Sequence, residues 1–315
     1  MTFHRRAFLK MAGSAALAAA GGSAAWAARK EASFKIGITN NTRGGWEKDF
    51  LLACRECAEV GYKYIETFVQ YAQPYFDKPD ELRAFLDQHG LKLETVSNGG
   101  RMVMSFEDAS RRDRIIEEHM ALVRFIKGFG CDHLKINTGR RRPEGTTQED
   151  LKVMSATFNE LGRRISEEGL KFGVHAHLWT QLQDRKEIDA VMELTDPRHV
   201  YFVLDTGQIT MATMDPVELT RVYVHRIIEY HLKDTKPEHR GGNKGPIPTR
   251  EQYLKDPIFF ELGTGGVDYP GILAILKKNA WQGWLTVELD ESRRGPKESA
   301  RISKEYIEKV LKLKV

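Results

Sequence analysis

From residue 34 onward the chain alternates short β-branched or aromatic runs with longer segments of helical period, and it does so eight times. The runs predict strands at 34–39 (FKIGIT), 62–68, 91–97, 133–137, 170–176, 200–205, 227–233 and 284–289. Helical patterns fall between them at 46–60, 79–89, 108–128, 147–168, 184–194, 215–224 and 269–279, with a last one at 297–312. Strands joined through helices pair in parallel, and eight such units predict a single α/β domain, a closed (β/α)8 TIM barrel with its reactive groups at the C-terminal strand ends. Local signals agree. Asp215-Pro216 and Tyr269-Pro270 put proline at helix starts, and Gly90, Gly130 and Gly169 stand between a helix and the next strand.

The first 27 residues are different in kind. Arg5 and Arg6 precede a weakly apolar, small-residue run that ends in Ala25-Trp26-Ala27. This order predicts a twin-arginine leader over 1–27, cleaved after Ala27, and a mature domain over 28–315 that is periplasmic or otherwise exported. Without Arg5, Arg6 and Lys10 the balance of 48 basic against 44 acidic residues becomes 45 against 44. A mature charge near neutrality gives no electrostatic footprint for nucleic acid. No stretch after residue 28 has the ~18 apolar residues of a spanning helix, so no membrane association is expected once the leader is gone. Cys54 and Cys57 form a C-x-x-C, but within an amphipathic pattern and without a second pair, which favours small buried helix residues over zinc ligands. A Cys54–Cys57 disulfide stays open for an oxidising compartment.

The connection from Thr235 to Val267 is long, and so rich in Gly and Pro that no regular element is expected in it; its place at the functional face suggests a lid. A GTGG run just before Val267 invites a phosphate cradle, and a turn before the next helix explains it equally well.

Alternation along the strands carries the chemistry. It points Glu66, Lys135, Asn137, His175, His177, Asp205, Glu229, His231, Lys233 and Glu288 inward at one end of the barrel, while Ile65, Leu134, Ile136, Val174, Ala176, Leu204, Tyr230, Leu232, Val287 and Leu289 face the helices. Unpaired charges in such a place would cost several kcal/mol each. Two imidazoles with two carboxylates, His175, Asp205, His231 and Glu288, suit one divalent cation: Mn²⁺ first, with Co²⁺, Mg²⁺ or Zn²⁺ as alternatives. Lys233 and Lys135 could instead form ion pairs within the mouth. Trp46, Phe68, Tyr71 and Trp179 follow strands and could stack on a sugar face or cap the core.

The stretches GLKFGVHAHLWT, EIDAVMELTDPRHVYFVLDTGQ, YVHRIIEYHLKD, LGTGGVDYPGILAIL and GWLTVELD resemble the xylose isomerase-like TIM barrels of the sugar isomerase/epimerase superfamily, most closely its inosose dehydratase-type members. The resemblance implies a metal held by an acid ending strand five, an Asp on strand six, a His on strand seven and a Glu on strand eight. The last three fall on Asp205, His231 and Glu288. Strand five departs, with His175 where many members carry Glu and His177 as a nearby substitute. Gln208 stands where the D-x-x-H stretch of the superfamily ends in His.

The resulting expectation is a metal-dependent isomerase, epimerase or dehydratase acting on a keto sugar or keto cyclitol by proton abstraction next to the carbonyl. Glu288, His175 and Lys233 are the expected catalytic groups, and Glu66, Lys135, Asn137, His177, Gln208 and Trp179 the expected substrate contacts. The substrate is expected to be unphosphorylated, and a homo-oligomer is compatible with the sequence. Two other classes remain: a metal- and sugar-binding barrel without turnover, and an AP-endonuclease-like hydrolase, which would need additional His and Asp ligands.

Overall fold

A computed structural model describes residues 31–315; the expected leader over 1–27 lies outside the described residues. Eight parallel strands form the barrel wall: β1 (Ser33–Thr39), β2 (Tyr64–Phe68), β3 (Lys92–Ser97), β4 (His133–Asn137), β5 (Lys171–His175), β6 (Tyr201–Asp205), β7 (Ile227–Leu232) and β8 (Gln282–Val287). The helices in chain order are α1 (Phe50–Val60), α2 (Val69–Ala72), α3 (Pro79–Gln88), α4 (Arg112–Gly128), α5 (Gln148–Glu167), α6 (Arg185–Leu194), α7 (Thr206–Met211), α8 (Pro216–Tyr223), α9 (Arg250–Lys255), α10 (Tyr269–Lys278) and α11 (Pro296–Lys309). The expected TIM barrel is therefore the fold observed.

The sheet runs β3-β2-β1-β8-β7-β6-β5-β4, so the main-chain ladder is interrupted at one seam, between β3 and β4. Buried backbone groups need partners, and here side chains provide them. The Thr95 hydroxyl donates to His133 O at 2.8 Å, while Asn98 takes both ends of a peptide edge, donating to Asn137 O at 3.0 Å and accepting from Asn137 N at 2.7 Å.

Outside the strands lies the apolar layer. Phe172, Val174, Phe202, Leu204, Tyr230, Leu232, Leu285 and Val287 are buried against the helices. α5 shows how the sequence builds its half: Leu151, Met154, Phe158, Leu161 and Ile165 recur at helical spacing and are all buried, and Thr147 with Asp150 closes a capping box at its start. Gly130 and Gly169 adopt the left-handed conformation (φ +78° and +83°) that turns a helix end back into a strand. Cys54 and Cys57 are buried free thiols on the inner face of α1, as small core residues. No helix among the described residues is long and apolar enough to cross a membrane.

The 235–267 connection corrects one expectation. It holds a 3₁₀ turn at Pro237–His239 and the helix α9, which its polarity had concealed. Thr249 and Gln252 supply a capping box that nucleates α9 locally. Asp234 ties the segment down: its carboxylate accepts from the backbone N–H of Thr235, Gly263, Gly265 and Val267 at 2.8 to 3.0 Å. The amides of the GTGG run are thus consumed within the protein, Gly263 and Gly265 by the Asp234 carboxylate and Thr264 and Gly266 by backbone carbonyls, which favours the turn over the phosphate cradle.

Candidate active site

Strand register sets the site. Asn137 pairs with His175 across β4 and β5, and Asp205 with His231 across β6 and β7, so these inward side chains gather at the C-terminal ends of their strands. Glu288 follows the last residue of β8 and leans over them. Ligand atoms of His175, Asp205, His231 and Glu288 all lie within 4.8 Å of one another, and all four side chains are buried.

Each donor is aimed by a neighbour. The His175 Nδ1 proton goes to Asn137 Oδ1 at 2.8 Å, leaving the Nε2 lone pair facing inward. Asp205 caps α7, its Oδ1 accepting from the backbone N–H of Gly207 and Gln208 at 2.9 Å each, so Oδ2 is the oxygen left over. His175 Nε2 and Asp205 Oδ2 have no hydrogen-bond partner. Glu288 accepts from Asn41 Nδ2 at 2.8 Å through Oε1 and contacts His231 Nδ1 at 2.6 Å through Oε2. A buried imidazole lone pair without a hydrogen bond, beside a buried carboxylate oxygen that faces the Lys233 ammonium at 3.2 Å, is a donor pair that a cation could complete. The donor set of two imidazoles and two carboxylates fits a borderline divalent ion.

Charge is balanced tightly around this cluster. Lys233 Nζ lies 2.9 Å from Glu288, 3.2 Å from Asp205 and 3.1 Å from Asp290. Burial opposes its charge, but the three carboxylates, Asp205 foremost, hold the ammonium well above its ordinary pKa. Burial would raise the Glu288 carboxyl; the charges of His231 and Lys233 outweigh it and keep that group well below the usual range. Burial pushes Asp205 up to about 7, and burial together with the Lys135 charge drives His175 well below its usual value, so that its ring is neutral.

The other expected substrate contacts are spent on the protein. Glu66 accepts from Ser97 Oγ at 2.7 Å, pairs with Lys135 Nζ at 2.9 Å and contacts His231 Nε2 at 2.8 Å; neither Glu66 nor Lys135 is exposed. Asn137 orients His175. His177 donates through Nδ1 to Leu178 O at 2.7 Å and accepts from Gln208 Nε2 at 2.9 Å, while Gln208 Oε1 accepts from Leu178 N. His177 and Gln208 thereby fix one another above the cluster. Of the aromatics, Trp46 is buried and donates its indole proton to Glu56, capping the core.

The mouth is covered. Trp179, at a positive φ of 63°, donates its indole proton to Pro248 O at 2.9 Å and packs on the Tyr253 ring of α9 with centroids 5.4 Å apart. Tyr253 donates to Asp290 at 3.1 Å and accepts from Arg43, and the Phe259 ring lies 4.8 Å from Lys233 Nζ. Asn41, Arg43, Tyr253, Phe259 and Asp290 were not among the residues expected from sequence. Asp290 shares the parity of Glu288 in VELD and was within reach of the same rule; the others sit on loops or a short helix that periodicity does not place.

The family model of the xylose isomerase-like TIM barrel matches residues 54–310. An inosose dehydratase of Clostridium botulinum (strain Alaska E43 / Type E3) is 27% identical over 288 residues, covering 86% of this chain and 94% of that one. An inosose dehydratase of Geobacillus kaustophilus (strain HTA426) is 29% identical over 272 residues, covering 81% and 85%. Among solved structures, an IOLI protein with a bound zinc atom superposes with a TM-score of 0.66 at 20% identity, covering 88% of this chain and 98% of that one. Matched over most of its length and built on the same eight-stranded barrel, this chain belongs to the xylose isomerase-like TIM barrel family.

Proposed function

We propose that the protein is a divalent-metal-dependent enzyme that removes a proton from the carbon next to the carbonyl of a keto sugar or keto cyclitol, with loss of water or isomerisation as the outcome. The observation that carries this reading is the convergence of His175, Asp205, His231 and Glu288, with His175 Nε2 and Asp205 Oδ2 outside any hydrogen bond. The names of the relatives, inosose dehydratases, support the substrate class.

An ion held by these four residues would supply Lewis-acid polarisation of the substrate carbonyl. The residues around it divide the remaining work. His175 cannot serve as both ligand and base, because its other nitrogen is committed to Asn137. Glu288 is ionised and stands just past the end of β8, and the proton is assigned to it. Lys233, whose proton is held among three carboxylates, contributes positive charge at a developing oxyanion or departing hydroxyl rather than a proton of its own. His177 is neutral, its pKa lowered by burial and by the Lys233 charge, and its bonds to Gln208 and Leu178 O hold it in place beside the cluster. Trp179, Tyr253 and Phe259 exclude water from the reacting centre.

The test is exchange of the carbon-bound hydrogen of an inosose or a ketohexose in D₂O, with added Mn²⁺ and with chelator. The reading predicts exchange that chelator abolishes and Glu288→Gln suppresses. An ion bound at the cluster without exchange in any keto substrate would identify a binding protein instead. We further propose export through the twin-arginine route in the folded state; export unchanged after Arg5-Arg6→Lys-Lys would contradict it.

A further inference from the structure

The barrel axis beneath the cluster is polar, and its groups are joined end to end. On the N-terminal face, Asp132 is half exposed, pairs with Lys35 Nζ at 2.6 Å and accepts from Trp284 Nε1 at 2.9 Å. Asp132 Oδ1 contacts His133 Nδ1 at 2.8 Å, and His133 Nε2 contacts Glu229 Oε2 at 2.9 Å. Glu229 Oε1 then lies 3.1 Å from His231 Nε2, and the opposite nitrogen of that ring faces Glu288 and Asp205. Asp132, His133 and Glu229 are not members of the four-residue cluster, and the hydrogen-bonded path from them reaches it at His231.

We propose that Glu229, anchored by His133 and Asp132, is a positioning residue that accepts a hydrogen bond from the Nε2–H of His231 and thereby leaves Nδ1 free toward the metal position. A neutral imidazole carries one N–H, and the hydrogen bond at one nitrogen decides which nitrogen is free to ligate. Glu229 stands two residues before His231 on β7 and shares its face, so the strand itself sets their separation. Glu66 also reaches Nε2, at 2.8 Å, but from across the barrel beside a register shift in β2, and its other oxygen is taken by Lys135 and Ser97. His133 bonds a carboxylate through each nitrogen, which holds the Glu229 carboxylate in place and offsets its charge. A carboxylate–imidazole–metal arrangement of this kind raises ligand basicity and fixes ring orientation.

The inference rests on the metal reading above, and the experiment separates the two. Chelator-stripped wild type, Glu229→Gln and His133→Gln are titrated with Zn²⁺ against a fluorescent competitor. The protonation state of the His231 ring nitrogens in the Zn²⁺-loaded proteins is read by ¹⁵N NMR. Glu229→Gln, folded as judged by circular dichroism, is expected to lose about 10- to 100-fold in Zn²⁺ affinity. His133→Gln is expected to lose less, and Glu229→Asp to retain more than Glu229→Gln. The wild-type ring is expected to carry its proton on Nε2, and the Glu229→Gln ring to show a mixture. Should Glu229→Gln fail to fold, a loss in His133→Gln supports the inference and wild-type affinity there overturns it. Zn²⁺ affinity within about twofold of wild type in the folded variants, with an unaltered ring signature, overturns the inference alone. Failure of the wild type to bind Zn²⁺ at all removes the metal reading and this inference with it.

Discussion

His175 Nε2 and Asp205 Oδ2 face each other across 3.7 Å in the buried mouth of the barrel, and neither has a hydrogen-bond partner. A buried acceptor left unsatisfied, such as His175 Nε2, costs on the order of 1 to 3 kcal/mol, which a coordinated cation would relieve. Divalent metal is therefore expected to stabilise the fold, by about 2.7 kcal/mol at a hundredfold excess over Kd, and chelator to lower the Tm accordingly. Asn137→Ala, which frees the His175 ring to turn, should weaken metal binding by about 10- to 100-fold with the ligands themselves intact. Calorimetric titration of the stripped variant checks this.

Burial opposes the charge on His133, but its bonds to Asp132 and Glu229 raise its pKa to about 10. A folded pKa above the unfolded value near 6.5 gives stability that is complete below pH 6.5 and is lost as pH rises toward 10. Wild type should lose up to about 1.4 kcal/mol for each pH unit across that window relative to His133→Gln. Urea unfolding of both proteins at pH 6.5 and pH 9 measures the difference, and equal pH dependence would refute it.

Gly37 on β1 leaves the space that Glu94 fills. A Cβ there would stand 1.7 Å from Glu94 Oε2 and 2.8 Å from its carboxyl carbon. Glu94 is fully buried with Oε1 held by Thr286 at 2.5 Å, and burial, reinforced by the charges of Glu229 and Glu66, raises its pKa well above the usual range. Gly37→Ala should destabilise the barrel by about 1 to 3 kcal/mol through overpacking, and Glu94→Ala should be less harmful in its presence than alone. A double-mutant cycle by denaturant unfolding decides it; strict additivity would show that the two sites do not share the space.

The cover over the mouth depends on two hydrogen bonds, Trp179 Nε1 to Pro248 O and Tyr253 OH to Asp290. Trp179→Phe with Tyr253→Phe removes both while keeping an aromatic ring at each position. Amide exchange across 246–256 is expected to speed up by about tenfold, in line with a loss of roughly 0.5 to 1.5 kcal/mol per bond, while metal affinity stays near wild type. Unchanged exchange would mean that packing alone holds the segment.

The strand-by-strand parity of the sequence was enough to place the barrel and the four-residue cluster, because a parallel sheet closed on itself converts alternation directly into inside and outside. Depth along the axis is not encoded that way. Glu66, Lys135 and Asn137 have the right parity, yet Glu66 is engaged by Ser97, His231 and Lys135, and Asn137 by His175. His133 obeys the same rule as Lys135 two residues on, and Glu94 also points inward; both lie low in the barrel, away from the strand ends where reactive groups are expected. Asn41, Tyr253 and Phe259 come from segments whose path is fixed by tertiary contacts such as the Asp234 anchor, for which local sequence carries no period.

The account stands on one ion among His175, Asp205, His231 and Glu288, and diffraction from crystals grown with Mn²⁺ or Zn²⁺, recorded at the metal absorption edge, tests it most directly. The expected result is a single anomalous peak about 2.0 to 2.3 Å from His175 Nε2, Asp205 Oδ2, His231 Nδ1 and Glu288 Oε2. Crystals with no peak at that position, or with the ion bound only elsewhere, would contradict it.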